Sequence, residues 1–512
     1  MIVLIEPISN NIGMYVPAYP LPIMEIAGYI RSRDPNIEIE VISIPMDYGL
    51  PLTRHGKDHI YEKLINDISG FQPVAVGISC TAISQAKESI ELCERIKKLS
   101  SDIYIFMGGY FPTVYPEEIF SRTWAVDLIV AGEGEMAAYA IIKALSNGKN
   151  PKDQPIPNLV WKKGDTIGHT KRGLGFDLRQ KALIQPGLLK HPDTYDIIPY
   201  AFSRGCPFRC TFCLEDKIRP KRQEVPQKIV EKDLQNLIRW GGTRTVVVAD
   251  ALFRSFHLLS LFRAYGLRIN FETRCDVLDP AIIPELAEVC GVLALGFESA
   301  SYDTLIRMNK VRDRAHYERY IRNTKRIFKE AARCGISMMV FMIAGYPGDT
   351  LKDLEESLLF AQALSEWSGP GGHIFKIGEC RVYPKTPLYD MALSMDGVVF
   401  DDDGVFGNNV VRKPSSGLDF KDVLLHMEAI FNLSNLTEAL QKNLFDIMPF
   451  FRLPPEAFAD GTVPAECFHD TGRSVFNVQN KSLAAFRSVT PHLIEKYRKN
   501  MSGERDTRKL VL

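Results

Sequence analysis

Two long stretches of the chain alternate short β-branched runs with amphipathic helical patterns, and this alternation restricts the possible folds most. Strands separated by helices imply βαβ units, and hence parallel sheets covered on both faces. In residues 1–145 the strand patterns fall at Ile2–Ile5, Ile37–Ser43, Val74–Ser79, Ile103–Met107 and Asp127–Val130. Helical patterns at Pro22–Arg31, His59–Ile68, Ser84–Leu99 and Glu135–Leu145 lie between them. This predicts an α/β region built on a doubly wound, Rossmann-like parallel sheet. Ligands of such sheets sit beyond the carboxyl ends of the strands. The segments placed there are Glu6–Tyr15, Ser79–Ser84, Gly108–Thr113 and Ala131–Glu135.

The second series begins near Asp196. Its strand patterns are Ile198–Ser203, Arg244–Val248, Arg268–Thr273, Gly291–Leu295, Ser337–Ile343 and Ile374–Val382. Helical patterns at Ile229–Trp240, Phe256–Tyr265, Ile282–Val289, His316–Ala332 and Leu351–Leu364 separate them. Six repeats are too few for a closed eight-fold barrel and predict a curved, open partial (β/α)6 barrel of the TIM type, with its chemistry on the loops after the strands. Residues 146–195 change character to Pro, Gly, Lys and Asp, with one hairpin pattern (LVWKKGDTIGH) turning at Gly164-Asp165. From about residue 415 the chain reads as helical, then loses periodicity until Ser482. The expected division is 1–148, a connector at 149–195, the barrel at 196–400 and a mostly helical region at 401–512.

The 512 residues hold 62 Lys+Arg against 62 Asp+Glu, so no long-range field favours nucleic acid or an anionic membrane. The beginning of the chain carries no basic leader, so a secretory signal is not expected. The longest apolar stretch, Ile336–Gly345, is about half of what a spanning helix needs. A soluble cytoplasmic protein with no integral membrane segment and no nucleic-acid partner is the expectation.

The ten cysteines are too few and too uneven for a disulfide framework. Cys80, Cys93, Cys275, Cys290, Cys334, Cys380 and Cys467 are scattered singly, whereas Cys206, Cys210 and Cys213 fall together in SRGCPFRCTFC. The pattern CxxxCxxC, directly after the first barrel strand, lets three thiolates converge from one loop. Iron–sulfur clusters are held by such thiolates, normally four of them. Structural zinc also wants four N or S ligands. The nearby Glu215 and Asp216 are hard oxygen donors, and no His lies between Cys213 and His257. Three ligands at the catalytic end of a barrel leave one iron open to a substrate or cofactor.

With this loop the sequence resembles the radical S-adenosylmethionine superfamily. The resemblance continues in order through VVVADALF around Asp250, FETRCD around Arg274, GFES at Gly296–Ser299, MNK at Met308–Lys310, GYPGDT at Gly345–Thr350 and YPKTPLY at Tyr383–Tyr389. Within the superfamily it is similar to the subgroup with an N-terminal cobalamin-binding domain, through GISCT at Gly77–Thr81, MGGYFPT at Met107–Thr113 and VDLIVAGEGE at Val126–Glu135. The match covers most of residues 1–395. It implies a 4Fe–4S cluster on Cys206, Cys210 and Cys213. The open iron chelates S-adenosylmethionine, whose reductive cleavage releases a 5′-deoxyadenosyl radical. A small-molecule substrate and a low-potential electron donor such as flavodoxin or ferredoxin are implied with it.

The resemblance places Phe212 beside the adenine, where a hydrophobic plug beneath the loop is the other reading. Asp250 either accepts from the methionyl ammonium or caps the next helix. Glu298 and Ser299 fall against the ribose and methionyl part, Glu298 suiting two ribose hydroxyls. Arg274 pairs with the cofactor carboxylate, with Glu298, or in a purely structural ion pair. Gly345 and Gly348, on either side of Pro347, tolerate unusual dihedrals and bring backbone near the cofactor, while Thr350 and Asp353 form a helix-capping box. Tyr383 and Lys385 are candidates to line the substrate pocket. For cobalamin the candidates are Ser79, Thr81, Gly108, Gly109, Tyr110, Gly132, Glu133 and Gly134, whose glycines admit a bulky flat ligand. Many cobalamin domains carry DxHxxG, whose His becomes a cobalt ligand. Here Asp47, His55 and Gly56 lie near the right region at the wrong spacing, so either cobalt lacks a protein His or cobalamin binding has been lost.

The leading functional expectation is a cobalamin-dependent radical methyltransferase acting on an unactivated carbon, with the methyl group passing from methylcobalamin to a substrate radical. A cyclase or rearrangement enzyme of the same superfamily is the alternative. A methylthiotransferase would need a second cluster that Cys80 and Cys93 cannot hold. A non-catalytic cobalamin or redox sensor is a further reading, disfavoured by the open iron.

Overall fold

The computed structural model describes residues 1–9, 18–51, 54–173, 175–192, 195, 197–219, 221–240, 245–445 and 462–463. Two compact units emerge, Met1–Pro199 with Lys217–Arg244, and Tyr200–Asp216 with Thr245–Ile447. Each is α/β. Among the described residues no helix is long and apolar enough to cross a membrane. Cys467 and the expected loss of periodicity before Ser482 lie outside the described residues.

In the first unit the β-branched runs become the strands Ile2–Glu6, Ile39–Ser43, Ala75–Ser79, Tyr104–Gly108 and Leu128–Val130. They pair in parallel with Ile39–Ser43 at the edge, then Ile2–Glu6, then the other three in sequence order. Both faces are covered, so Val3, Ile5, Val76, Ile105, Leu128 and Ile129 are buried together, as continuous apolar runs in parallel sheets require. The helices Leu21–Arg33, Arg54–Phe71, Ile83–Leu99 and Glu135–Ser146 follow the expected positions. Strand order reverses beside Ile2–Glu6, whose neighbours lead the chain in opposite directions. The crevice at such a switch point lies beyond the carboxyl ends of the strands, here Glu6 and Ser79. The hairpin of the expected connector is present as Leu159–Lys163 and Thr166–His169. It extends this sheet antiparallel from Leu128–Val130, a destination that its turn residues alone do not disclose.

The second sheet has six strands in the order His373–Glu379, Ser337–Ala344, Cys290–Glu298, Arg268–Arg274, Thr245–Val248, Ile198–Tyr200. Neighbours in space are neighbours in sequence, and among the described residues the two end strands do not pair with each other, so the sheet is the open partial barrel. Alternation sorts its faces. Phe271, Thr273, Val340 and Phe375 point outward and are buried; Phe297 stacks on Tyr320 and Phe360 at 5.9 and 4.9 Å. Each such buried aromatic contributes on the order of 1.5–3 kcal/mol. Register then aligns Arg274, Gly296, Phe341 and Lys376 in one row across the inner face. Glu272 lies on the same face, two residues before Arg274, as the period of two demands.

In the described part of the tail the expected helical segment forms two helices, Phe420–Phe431 and Glu438–Phe445; residues 446–461 and 464–512 lie outside the described residues. Asp419 caps the first by accepting from the N–H groups of Lys421 and Asp422. Val423 and Leu418 pack with Ala344 and Leu354, which seats this helix at the carboxyl end of the fifth barrel strand.

Candidate active site

The cysteine loop follows the first barrel strand. Gly205, at φ 83, turns the chain in a way a side chain would resist. Cys206 and Cys210 are half-buried, Cys213 is exposed, and none is in a disulfide. Burial raises the Cys206 thiol above its ordinary value. The N–H of Cys213 donates to the Cys210 carbonyl at 3.0 Å, closing a tight turn. Thr211 anchors that turn: its N–H donates to Met308 O at 3.1 Å, and its hydroxyl donates to Arg307 O at 2.9 Å and meets the Tyr346 hydroxyl. Asn309 donates to the Arg209 carbonyl at 2.8 Å. The MNK segment therefore holds the cysteine loop from behind, a role its sequence does not announce.

A set of buried charges lies beneath the loop. Arg274 donates from Nη1 to Cys210 Sγ at 3.3 Å, and its guanidinium sits 3.8 Å from the centre of the Phe208 ring. Asp276 grips the same guanidinium with two 2.8 Å bonds, and Lys310 O accepts a third at 2.9 Å. Burial works against the Arg274 charge, and Asp276 more than restores it, holding the group above its ordinary value. Of the three partners open to Arg274, Glu298 is not the one used: Glu298 pairs with Lys310 at 2.9 Å. Lys310 also donates to Gly296 O at 2.8 Å. An added Cβ at Gly296 would come 3.1 Å from Glu298 Oε1 and 3.4 Å from Lys310 Nζ, so glycine leaves room for the pair. Burial lowers Lys310, yet Glu298 lifts it above its ordinary value. Glu298 adopts φ 72 at 8% exposure. A non-glycine residue in the left-handed region costs on the order of 1–3 kcal/mol and persists only where its surroundings enforce it.

The other barrel candidates are distributed around this rim. Asp250 is buried and accepts from Phe202 N at 2.7 Å and from the Ser203 hydroxyl. It does not cap the next helix, which begins at Phe256 after Ser255; it fixes the strand that leads into the cysteine loop. Ser299 is buried, within 3.2 Å of the Ser357 hydroxyl, and accepts from Ser301 N. Phe212 is half-buried, not the sealed plug of the alternative reading. Gly345 and Gly348 have φ 74 and 86, and the N–H of Gly348 donates to Pro414 O at 2.7 Å around Pro347. Asp353 accepts from the Thr350 N–H and hydroxyl, both at 2.7 Å, fulfilling the cap. Tyr383 is half-buried and Lys385 exposed, at φ 67, beyond the last strand. Sequence reasoning missed Phe208, Asp276 and Lys310, together with Glu272, Phe341 and Lys376 on the inner face. The alternation in FETRCD is the signal that could have found Glu272 and Asp276 alongside Arg274.

The residues of the cobalamin candidates gather on the carboxyl rim of the first sheet. Ser79 ends one strand and Gly108 the next. Gly109 has φ 107, and an added Cβ would collide with the Cys80 carbonyl, so only glycine fits. Gly132 has φ 101 with open space around it, and its N–H donates to the Thr113 hydroxyl at 2.8 Å. Gly134 packs toward Ile26, and Tyr110 opens a short helix. Two members turn inward: the Thr81 hydroxyl donates to Gln85 at 2.9 Å, and Glu133 accepts from Phe176 N at 2.6 Å. Asp47 accepts from Ser43 N at 2.9 Å, whereas His55 is exposed in the first turn of a helix and Gly56 is buried there, so these three do not form one motif. Glu6 accepts from the Ser43 hydroxyl at 2.6 Å, and burial above all pushes its carboxyl up to about 7.

The donor set suits an iron–sulfur cluster: soft thiolates on a single loop, with a buried cation and the Glu215 N–H, 3.5 Å from Cys213 Sγ, aimed at the sulfurs. Among the described residues no group of three or more His, Cys, Asp or Glu converges on a single metal ion; a cluster asks instead for one thiolate on each of several irons. Comparison with known proteins agrees with the two halves of the chain. Residues 200–361 match the radical SAM superfamily, and residues 14–142 match the B12 binding domain. An uncharacterized methyltransferase of Pyrococcus horikoshii is 25% identical over 392 residues, 73% of this chain and 78% of its own. An anaerobic magnesium-protoporphyrin IX monomethyl ester cyclase of Rubrivivax gelatinosus is 27% identical over 376 residues, 68% of this chain and 62% of its own. The solved structure of the radical S-adenosylmethionine methyltransferase TsrM from Kitasatospora setae, with cobalamin and a 4Fe–4S cluster bound, superposes with TM-score 0.64 at 15% identity. That match covers 84% of this chain and 88% of that one. The chain therefore carries a radical SAM domain at residues 200–361, preceded by a B12-binding domain at residues 14–142.

Proposed function

We propose that this protein is a cobalamin-dependent radical S-adenosylmethionine methyltransferase, acting on an unactivated carbon of a small molecule. The observation that carries the proposal is the Arg274–Cys210 contact, which puts a fixed cation against a three-cysteine loop on the rim of an open parallel barrel. The 4Fe–4S cluster with S-adenosylmethionine supplies an adenosyl radical, and cobalamin supplies a transferable methyl group. Cys206, Cys210 and Cys213 hold the cluster and leave one iron to the nucleotide. Phe212, Glu298, Ser299, Gly345 and Pro347 surround that nucleotide. Asp250 and Arg274, whose polar groups are engaged with the chain itself, act on it by fixing the loop and its charge. On the first unit, Ser79, Gly108, Gly109, Tyr110 and Gly132 bound the corrin, with Thr81, Glu133 and Gly134 shaping the loops around it. Glu272, Phe341 and Lys376 on the inner barrel face, with Tyr383 and Lys385 on its rim, meet the substrate. The functional division we assign is 1–148 for the corrin, 149–195 as connector, 196–400 for radical formation and 401–512 as the helical remainder. A cytoplasmic location and an external flavodoxin- or ferredoxin-type donor belong to the same reading.

The cyclase relative supports a second reading, in which the same radical starts a ring closure. The two separate without knowledge of the substrate. The reconstituted protein is supplied with cobalamin, a low-potential reductant and S-adenosylmethionine, and the nucleoside products are quantified. The methyltransferase reading gives both S-adenosylhomocysteine and 5′-deoxyadenosine, since each turnover uses the nucleotide in two ways. 5′-Deoxyadenosine alone would reassign the protein to cyclisation or rearrangement.

A further inference from the structure

The guanidinium of Arg274 has a place in the fold that a structural ion pair does not require. Asp276 alone would satisfy it at the barrel surface, yet it is 6% exposed and held on four sides. Asp276 takes two of its N–H groups, Lys310 O takes a third, and Phe208 covers its face at 3.8 Å. Two N–H groups remain, both on Nη1, and one of them points at Cys210 Sγ from 3.3 Å. Rotation about the side chain would break the Asp276 fork, so the N–H···S contact is fixed by the other three. The neighbouring charges do not cancel it at the sulfur: Glu298 is matched by Lys310 at 2.9 Å, and Asp276 sits on the far edge of the guanidinium, shared with His316 at 3.3 Å.

The geometry points to Arg274 as the residue that sets the reduction potential of the cluster, by donating a charge-assisted hydrogen bond to the Cys210 thiolate. The inference rests on the proposed function only in placing a 4Fe–4S cluster on this loop. The cluster takes one electron from an external low-potential reductant, passing from the 2+ to the 1+ state, and no bond to carbon is involved. Added negative charge on the cluster spreads onto its sulfur ligands. An N–H donor carrying a full positive charge therefore stabilises the reduced state more than the oxidised one and raises the potential. The low dielectric of a buried site strengthens the effect. Arg274 is a positioning residue here: it acts through Cys210, not on the substrate.

The test is an anaerobic redox titration of the full-length reconstituted protein, followed by electron paramagnetic resonance without S-adenosylmethionine or cobalamin. Wild type is compared with Arg274→Gln, Arg274→Lys and Asp276→Asn. In Arg274→Gln the reduction equilibrium is expected to fall by about tenfold, about 59 mV more negative for a one-electron couple. Arg274→Lys keeps the charge without the fork and should fall part of the way. Asp276→Asn keeps the guanidinium but loosens it, and should move in the same direction with unchanged iron content. Potentials equal to wild type in the variants that load a full cluster overturn the inference while leaving the proposed function standing. A wild-type protein that loads no cluster overturns both. Should Arg274→Gln fail to load, the Lys and Asn variants decide alone, since each retains a cation near the loop.

Discussion

The carboxyl rims of the two sheets solve opposite problems. The barrel rim is charged and fully braced: Arg274, Asp276, Lys310 and Glu298 are paired within 2.9 Å, and Glu298 is held at φ 72. The rim of the first sheet is built from absence of side chains, with Gly109 and Gly132 at positive φ and open space at Gly132. On the proposed function, the difference follows from the two kinds of ligand. A small, electron-accepting inorganic group is governed by nearby charge and fixed donors, whereas a large flat organic one is governed by room. Perturbing the barrel rim should therefore alter electronic and stability properties, and perturbing the rim of the first sheet should alter occupancy.

The largest expected effect is on the braced side. Cys210→Ala should abolish cluster loading and reduce 5′-deoxyadenosine formation to the uncatalysed background, while corrinoid retained per chain stays at the wild-type level. Loss of corrinoid together with the cluster would break the separation of the two rims. Next comes Lys310→Met, which leaves the Glu298 carboxylate buried without its cation. Removing one partner of a buried pair costs about 3–5 kcal/mol, to be read as a lowered denaturant midpoint. A change of a few tenths would mean that the barrel rim is not braced by this pair.

On the open side, Gly109→Ala imposes a side chain on a left-handed residue facing the Cys80 carbonyl. The expected cost is about 1–3 kcal/mol from backbone strain, accompanied by a loss of corrinoid with the cluster content intact. The remaining effect is electrostatic and is confined to one pH window. Burial raises the folded-state Glu6 carboxyl to about 7 from an ordinary 4.5. Between those values the folded chain keeps a proton that the unfolded chain releases, so this group makes stability fall as pH climbs from about 4.5 to about 7, and no further. Glu6→Gln should flatten that part of the pH profile, measured as the difference between variant and wild type in thermal midpoint. Parallel profiles would show that Glu6 is not the group that titrates.

What was legible in the sequence follows the same contrast. The five parallel strands and the open six-stranded sheet were readable because β-branched runs bounded by helical patterns are local signals, as Ile2–Glu6 and Ala75–Ser79 illustrate. The cysteine loop was readable from spacing, and the positive φ of Gly345 and Gly348 from residue type. The ion pairs were not. Arg274 had three plausible partners, and the choice of Asp276 over Glu298 depends on how the chain turns after its strand ends at Arg274 and on the register shift before Glu298. Lys310 lies 12 positions beyond Glu298 and reaches it only because MNK folds back beneath the loop. The inward turn of Glu133 onto Phe176 is likewise a contact over 43 positions that no local pattern encodes. The hairpin at Gly164-Asp165 was visible as a turn, but its place in the first sheet depends on a distant edge strand.

What each rim holds is measurable directly. Iron, acid-labile sulfide and corrinoid should be measured per chain after oxygen-free purification with cobalamin supplied during expression. The predicted result is about four iron and four sulfide with one corrinoid, the iron and sulfide vanishing in Cys210→Ala and the corrinoid persisting. Zinc in place of iron, or a loop that binds no metal at all, would contradict it.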